Sequence, residues 1–333
     1  MTREPPPQLR FLVAPDSFKG TFTAPEVAAA IGAGLEAAGA VADLCPLADG
    51  GEGTAATLRA ALGGSAHTAD AHDPLGRPLQ AELTLLADGA TAAIDTAAAS
   101  GLPLLAPDER DAEAASSAGT GELIAAAVEA GARTVLLAAG GSATSDGGRG
   151  AIEALRERGG LRGARLEILC DVRTPFEDAA RVFAPQKGAG TAAVARLGDR
   201  LRRYATELPR DPRGVPMSGC AGGLSGGLWA AFGAELRPGA RYVLDLLDFE
   251  PRLAAADAAI GGEGRIDSQS LEGKAVGEVA AICARLGKDL HVLVGRDELD
   301  RGLIGSLPIR SIREAGTLTA LTAAAREIAA GAR

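Results

Sequence analysis

Residues 9–38, LRFLVAPDSFKGTFTAPEVAAAIGAGLEAA, decide the fold class. Leu9 to Ala14 is an apolar run of strand length. Pro15-Asp16-Ser17-Phe18-Lys19-Gly20 follows as a loop, and Thr23-Ala24-Pro25-Glu26 has the form of a capping box opening a helix to about Ala38. The order strand, loop, helix then recurs: Val41 to Pro46 reads as a second short strand. It leads through Ala48-Asp49-Gly50-Gly51-Glu52-Gly53-Thr54 into a helix that ends near Leu62, with Gly63 just past the end. Such alternation predicts an α/β protein.

From His67 the pattern changes. The runs Leu79–Leu86 and Thr91–Asp95 flank Asp88-Gly89, a strong hairpin signal, so a second sheet with antiparallel pairing is expected. Helix and strand alternate again through Gly121–Ala130, Thr134–Ala138, the loop Gly140–Gly148 and the strand Leu166–Cys170. A helix over Thr191–Thr206 precedes a Pro- and Arg-containing surface excursion, Pro209–Pro216. Farther on, a strand at Ala258–Ile260 is expected to end in the loop Gly261–Asp267, followed by a helix near Val276–Leu286, a strand Leu290–Val294 and a last helix Leu318–Ala330. With 333 residues the chain exceeds the size at which one core keeps growing, so two domains are expected.

Composition narrows the classes. Hydrophobic residues make up 47% and charged residues 23%, ordinary for a soluble globular protein, and no apolar run reaches the ~20 residues of a membrane span. The start of the chain is polar and Pro-rich rather than a leader, so a cytoplasmic protein is expected. A net charge of −9 without a basic run argues against nucleic-acid or anionic-membrane partners. Cys45, Cys170, Cys220 and Cys283 are far apart and form no CxxC pair, so neither a disulfide nor a zinc site is indicated.

The 45 glycines gather in loops that follow strands, where parallel α/β sheets bind ligands and backbone N–H groups can cradle phosphate. Three such loops also carry carboxylates: 48–53, 140–148 and 261–267. Phosphoryl transfer needs cations on the phosphates and a group that orients or deprotonates the attacking hydroxyl. Lys19, Lys187, Arg265 and Lys274 are the loop cations; Asp16, Asp49, Glu52, Asp146, Asp171, Glu263 and Asp267 are the loop carboxylates. Taken one at a time, each loop also fits an ordinary turn or N-cap, Lys187 fits a solvated charge, and Ser142 and Thr144 fit simple caps. No GxxxxGK(S/T) sequence exists, which excludes a P-loop. Gly223-Leu224-Ser225-Gly226-Gly227 matches the GxSxG of a hydrolase elbow with His291 as a base, but no buried strand precedes it; His67, His72 and His291 read as structural or surface residues.

Read in order, the loops resemble the bacterial glycerate kinase family of glyoxylate and glucarate breakdown. The resemblance rests on APDSFKG at 14–20, PLADGGEGT at 46–54, DPLGR at 73–77, ASGL at 99–102 and GTGELI at 119–124. It continues through GGSATSDGG at 140–148, CDV at 170–172, PQKGA at 185–189 and GEGRIDSQS at 262–270. One departure stands out: where the family usually reads CDVDNP, this chain has Cys170-Asp171-Val172-Arg173-Thr174-Pro175.

The resemblance implies Mg²⁺-dependent transfer from ATP to D-glycerate, most often at the 2-hydroxyl. The 3-hydroxyl or a related sugar acid is the alternative within the class; a hydrolase using Ser225 and an inactive sugar-acid-binding paralogue are the alternatives outside it. It further implies a flavodoxin-like domain with a parallel sheet, expected over 9–66 and 236–333, and a second α/β domain with a mixed sheet over 67–235, with the active site in the cleft between them. A homodimer is the base-rate oligomer. Asp171, Asp146, Asp267 and Lys19 are the implied catalytic residues. The implied substrate- and phosphate-binding set is Asp16, Ser17, Asp49, Gly50, Gly51, Glu52, Gly141, Ser142, Thr144, Gln186, Lys187, Glu263, Arg265 and Lys274, with no metal ligand assigned.

Overall fold

The computed structural model describes residues 8–271, 274–300, 302, 304–305 and 307–332; the polar, Pro-rich residues 1–7 lie outside them. The chain forms two compact units, Met1–Ala48 with Ala240–Arg333, and Asp49–Gly239.

The first unit begins with β1 (Arg10–Pro15), α1 (Ala24–Ala37) and β2 (Val41–Leu44). The capping box forms: Glu26 N donates to Thr23 Oγ1 and Thr23 N donates to Glu26 Oε2, an arrangement whose cap contributes about 1 kcal/mol. The chain then builds the second unit from α2 (Thr54–Leu62), β3 (Gly64–His72), β4 (Pro78–Leu86), β5 (Thr91–Asp95), α3 (Ala97–Ser100), α4 (Ala118–Glu129) and β6 (Thr134–Ala138). It continues with α5 (Arg149–Glu157), β7 (Arg165–Cys170), α6 (Ala179–Phe183), α7 (Thr191–Glu207), α8 (Leu224–Phe232) and β8 (Glu235–Pro238). From α9 (Gly239–Leu246) and α10 (Phe249–Ala254) the chain returns to the first unit. That unit is completed by β9 (Ala258–Ile266), α11 (Ala275–Leu286), β10 (Asp289–Asp297), β11 (Ile309–Glu314) and α12 (Leu318–Gly331).

The first sheet is wholly parallel in the order β2-β1-β9-β10-β11. Numbered within the unit this is 2-1-3-4-5, the flavodoxin-like order, whose switch point falls between β1 and β9. Phe11, Val13, Ile31, Leu35, Leu321 and Ile328 pack together as part of its core. The second sheet runs β3-β4-β5-β6-β7-β8. Its first three strands pair antiparallel and β5 through β8 pair parallel, the mixed sheet expected from the Asp88-Gly89 hairpin.

Several elements differ from expectation. The units part at Ala48 and Gly239, whereas residues 49–66 were expected in the first domain. Asp95 at the end of β5 accepts from the N–H groups of Gly53 and Ala55, which ties the start of α2 to the mixed sheet. β8 likewise pairs with β7, so Leu236 sits opposite Ile168. The expected loop Gly261–Asp267 is strand as far as Ile266, because β9 is paired on one side to β1 and on the other to β10.

Behind the end of β7, the fully buried ring of Phe176 is wedged where Gly147, Gly223 and Gly226 carry no side chain. Phe176→Ala would leave a cavity no neighbour can fill. The expected cost is about 3–5 kcal/mol, read as a lower urea midpoint for unfolding. An unchanged midpoint would show that the ring does not anchor this loop. Cys45, Cys170, Cys220 and Cys283 are free and buried. No described helix is long and apolar enough to cross a membrane.

Candidate active site

In the second unit the carboxyl ends of β5, β6 and β7 bring three loops together. Ala139 N donates to Leu169 O (3.0 Å), and Gly140 N to Gly50 O (3.1 Å). On the other side, Leu102 N donates to Gly141 O and Ala143 N to Ser100 O, both at 2.9 Å. A Cβ on Gly140 would lie 2.6 Å from Gly51 Cα, so only glycine lets the 49–53 and 140–144 loops meet here. Within the first of these loops, Asp49 is buried and accepts from Gly51 N (3.0 Å), and Thr54 Oγ1 donates to Gly51 O. Gly50 and Gly51 are buried too, whereas Glu52 is exposed, with Oε2 3.7 Å from the point a Cβ on Gly141 would occupy.

Asp95 was not singled out from sequence, although it closes β5 much as Asp171 directly follows β7. Burial pushes its carboxyl up to about 6, against the lowering effect of the N–H groups of Ala55 and Gly53. Its role is to hold the start of α2, which has no side-chain cap of its own.

The carboxylates proposed for catalysis separate by what they touch. Asp146 Oδ2 accepts from Ser117 N, Ser117 Oγ and Gly150 N, and Oδ1 accepts from Gly148 N. Four donors leave little acceptor capacity for a substrate proton, so Asp146 pins the start of α5 and acts on the site as a nearby negative charge. Asp171 directly follows β7, is half-buried and faces a pocket of about 240 Å³. Its Oδ2 lies 3.5 Å from where a Cβ on Gly140 would sit.

Ser142, Asp171, Gln186 and Lys187 supply the polar lining of that pocket; Leu102, Val172 and Phe183 form apolar wall. Lys187, in the short turn Pro185–Lys187, is not a solvated charge. It is 2% exposed, and Nζ donates to Ser142 Oγ (2.9 Å) and Thr144 O (2.6 Å). Burial draws its ammonium down to about 7, partly opposed by Asp146, Asp171 and Cys220. Ser142 and Thr144 therefore serve the lysine rather than cap a helix. The family departure at Arg173 and Thr174 meets the chain through backbone: Met217 N donates to Arg173 O and Gly219 N to Thr174 O.

The remaining candidates belong to the first unit, at the switch point of its sheet. Asp16 follows β1, is buried, and Ser17 N donates to its Oδ1 while Asp16 N donates to Gly262 O. Gly264 of β9 passes so close to this loop that a Cβ there would lie 3.2 Å from Phe18 Cα and 3.3 Å from Lys19 N. Lys19 is exposed and Glu263 half-buried. Arg265 reaches Asp267 Oδ2 at 3.3 Å and Glu298 Oε2 at 3.7 Å, and Asp267 Oδ1 accepts from Ser270 N. Lys274 stands at the start of α11.

The hydrolase alternative is corrected by burial. Ser225 is 0% exposed and its hydroxyl donates to Met217 O, so no nucleophile is presented. His291 belongs to the other unit, where Nδ1 and Ser311 Oγ are 2.8 Å apart.

A family model described as the glycerate kinase family matches residues 11–159 and 156–328. The chain is 36% identical to glycerate 2-kinase of Escherichia coli (strain K12), over 89% of this chain and 87% of that protein. It is 39% identical to glycerate kinase of Bacillus subtilis (strain 168), over 80% and 79%. A crystal structure from Salmonella typhimurium LT2, 33% identical, superposes with a TM-score of 0.84 over 98% of both chains.

Proposed function

Because the chain belongs to the glycerate kinase family, we propose that it transfers the terminal phosphoryl group of ATP to the 2-hydroxyl of D-glycerate, giving 2-phosphoglycerate and ADP. The observation that carries the reading is the pocket at the carboxyl ends of β6 and β7, where one carboxylate, Asp171, and one buried ammonium, Lys187, face the same small space. A hydroxy acid offers a matching pair of groups, an anion and a hydroxyl.

In this reading Asp171 orients the reacting hydroxyl and takes its proton as the oxygen bonds to phosphorus; the bond from phosphorus to the ADP oxygen breaks, and ADP leaves. Gly140, Gly141 and Ser142 hold the wall opposite through the hydrogen bonds of the 139–144 loop. On the first unit, Lys19, on the turn that Asp16 and Ser17 shape, Arg265, on β9 with Glu263, and Lys274, at the start of α11, are candidates for anionic groups of the substrates. Mg²⁺ bound with the nucleotide would offset phosphate charge. Among the described residues no three His, Cys, Asp or Glu side chains converge on one point.

Passing the product to enolase tests the position of transfer. Phosphoenolpyruvate formed without phosphoglycerate mutase is the expected result. A strict need for mutase would mean the 3-phosphate.

A further inference from the structure

The pocket beside Asp171 has a composition that assigns the substrate's ends. Its volume of about 240 Å³ lies below the range of roughly 300–1,000 Å³ that drug-sized ligands occupy, too small for a whole nucleotide and ample for a three-carbon acid. Among the described residues that line it, Lys187 is the one cation and Asp171 the one carboxylate. A triphosphate would bring several negative charges against a single ammonium and an opposing carboxylate. A monoanion adds one negative charge, which can meet Lys187 while its hydroxyl lies toward Asp171.

We propose that Lys187 Nζ is the counter-charge for the carboxylate of glycerate, with Asp171 at the hydroxyl end, so that this lysine sets the enzyme's preference for acids over neutral polyols. The assignment rests on the kinase reading above and adds to it which end of the acid goes where. Two of the ammonium's three N–H groups go to Ser142 Oγ and Thr144 O, which aims the head group and leaves the third direction to a ligand oxygen. Asp171 repels a carboxylate brought to its own side, so electrostatics and shape select one orientation. Burial makes the charge expensive without a ligand, and the titratable groups that face Lys187, namely Asp146, Asp171 and Cys220, only partly offset that cost. Burial thus draws the ammonium down to about 7, and an anion placed beside it favours the charged form.

The test compares D-glycerate with D-glyceramide, its neutral amide, in wild type and in Lys187→Met. Wild type should favour glycerate in kcat/KM by about 10²-fold or more. The variant should lose most of that preference, through a raised KM for glycerate, with the KM for ATP changed by less than about threefold. A variant that keeps the wild-type ratio of glycerate to glyceramide overturns the assignment. So that the outcome does not depend on the variant folding, calorimetry of wild type compares the binding of D-glycerate with that of D-glyceramide. The acid should bind at least about tenfold more tightly than the amide, and equal affinities overturn the proposal. A wild type that consumes no ATP with glycerate would instead sink the kinase reading and the assignment with it.

Discussion

Asp171→Asn is expected to leave the protein folded and to lower kcat on D-glycerate by about 10²–10⁴-fold. The substitution keeps the size and most of the hydrogen bonding of the side chain while removing its capacity to accept a proton. Asp171 directly follows β7 and lines the pocket of about 240 Å³, so the loss should fall on turnover more than on KM. The companion variant Asp146→Asn separates the two carboxylates. Its side chain answers four donors at the start of α5, and an amide in its place sets an N–H group against at least one of them. The result should appear mainly as lost stability. Steady-state kinetics with thermal melts of both variants distinguish the roles, and near wild-type turnover in a folded Asp171→Asn would remove Asp171 from the chemistry.

Gly140→Ala should be nearly as damaging, by a different route. The added methyl would lie 2.6 Å from Gly51 Cα, and both partners are backbone, so no side chain can swing away. The 49–53 and 140–144 loops must separate, carrying with them the hydrogen bond from Gly140 N to Gly50 O. Overpacking of this kind costs about 1–3 kcal/mol. Displacing the wall that faces Asp171 by a fraction of an ångström to 1 Å is expected to lower kcat/KM by about 10²-fold. Kinetics beside a melting curve check both numbers, and unaltered kinetics would show that the loops have room to spare.

The fold was legible where local chemistry and tertiary structure agree. The apolar run at 9–14, the capping box at Thr23 and Glu26, and the strands flanking Asp88-Gly89 carry their own signals, and β5 and β6 keep the bounds read from them. β3 was not legible, because GSAHTADAH is an edge strand, mostly exposed, with no apolar alternation to mark it. β8 is four residues long and holds its place through β7. Gly261–Ile266 reads as a loop by composition and is strand by pairing with β1 and β10, information that lies some 250 residues away along the chain in one case.

The site divides along the same line. That Asp171 follows a strand is visible in sequence, but that Lys187 is buried against Ser142 and Thr144 depends on contacts more than 40 residues apart. Asp146 and Asp171 look alike as loop carboxylates; that Asp146 answers four donors at the start of α5 while Asp171 lines the pocket is seen only in the fold. Ser225 matched a nucleophile pattern until burial showed its hydroxyl turned to Met217 O.

Proton-coupled ³¹P NMR of the wild-type protein incubated with Mg-ATP and D-glycerate reads both the transfer and its position. Conversion of ATP to ADP is expected, together with a new phosphomonoester doublet, split by the single proton on carbon 2. A spectrum in which ATP persists and no phosphomonoester appears would contradict the proposed transfer.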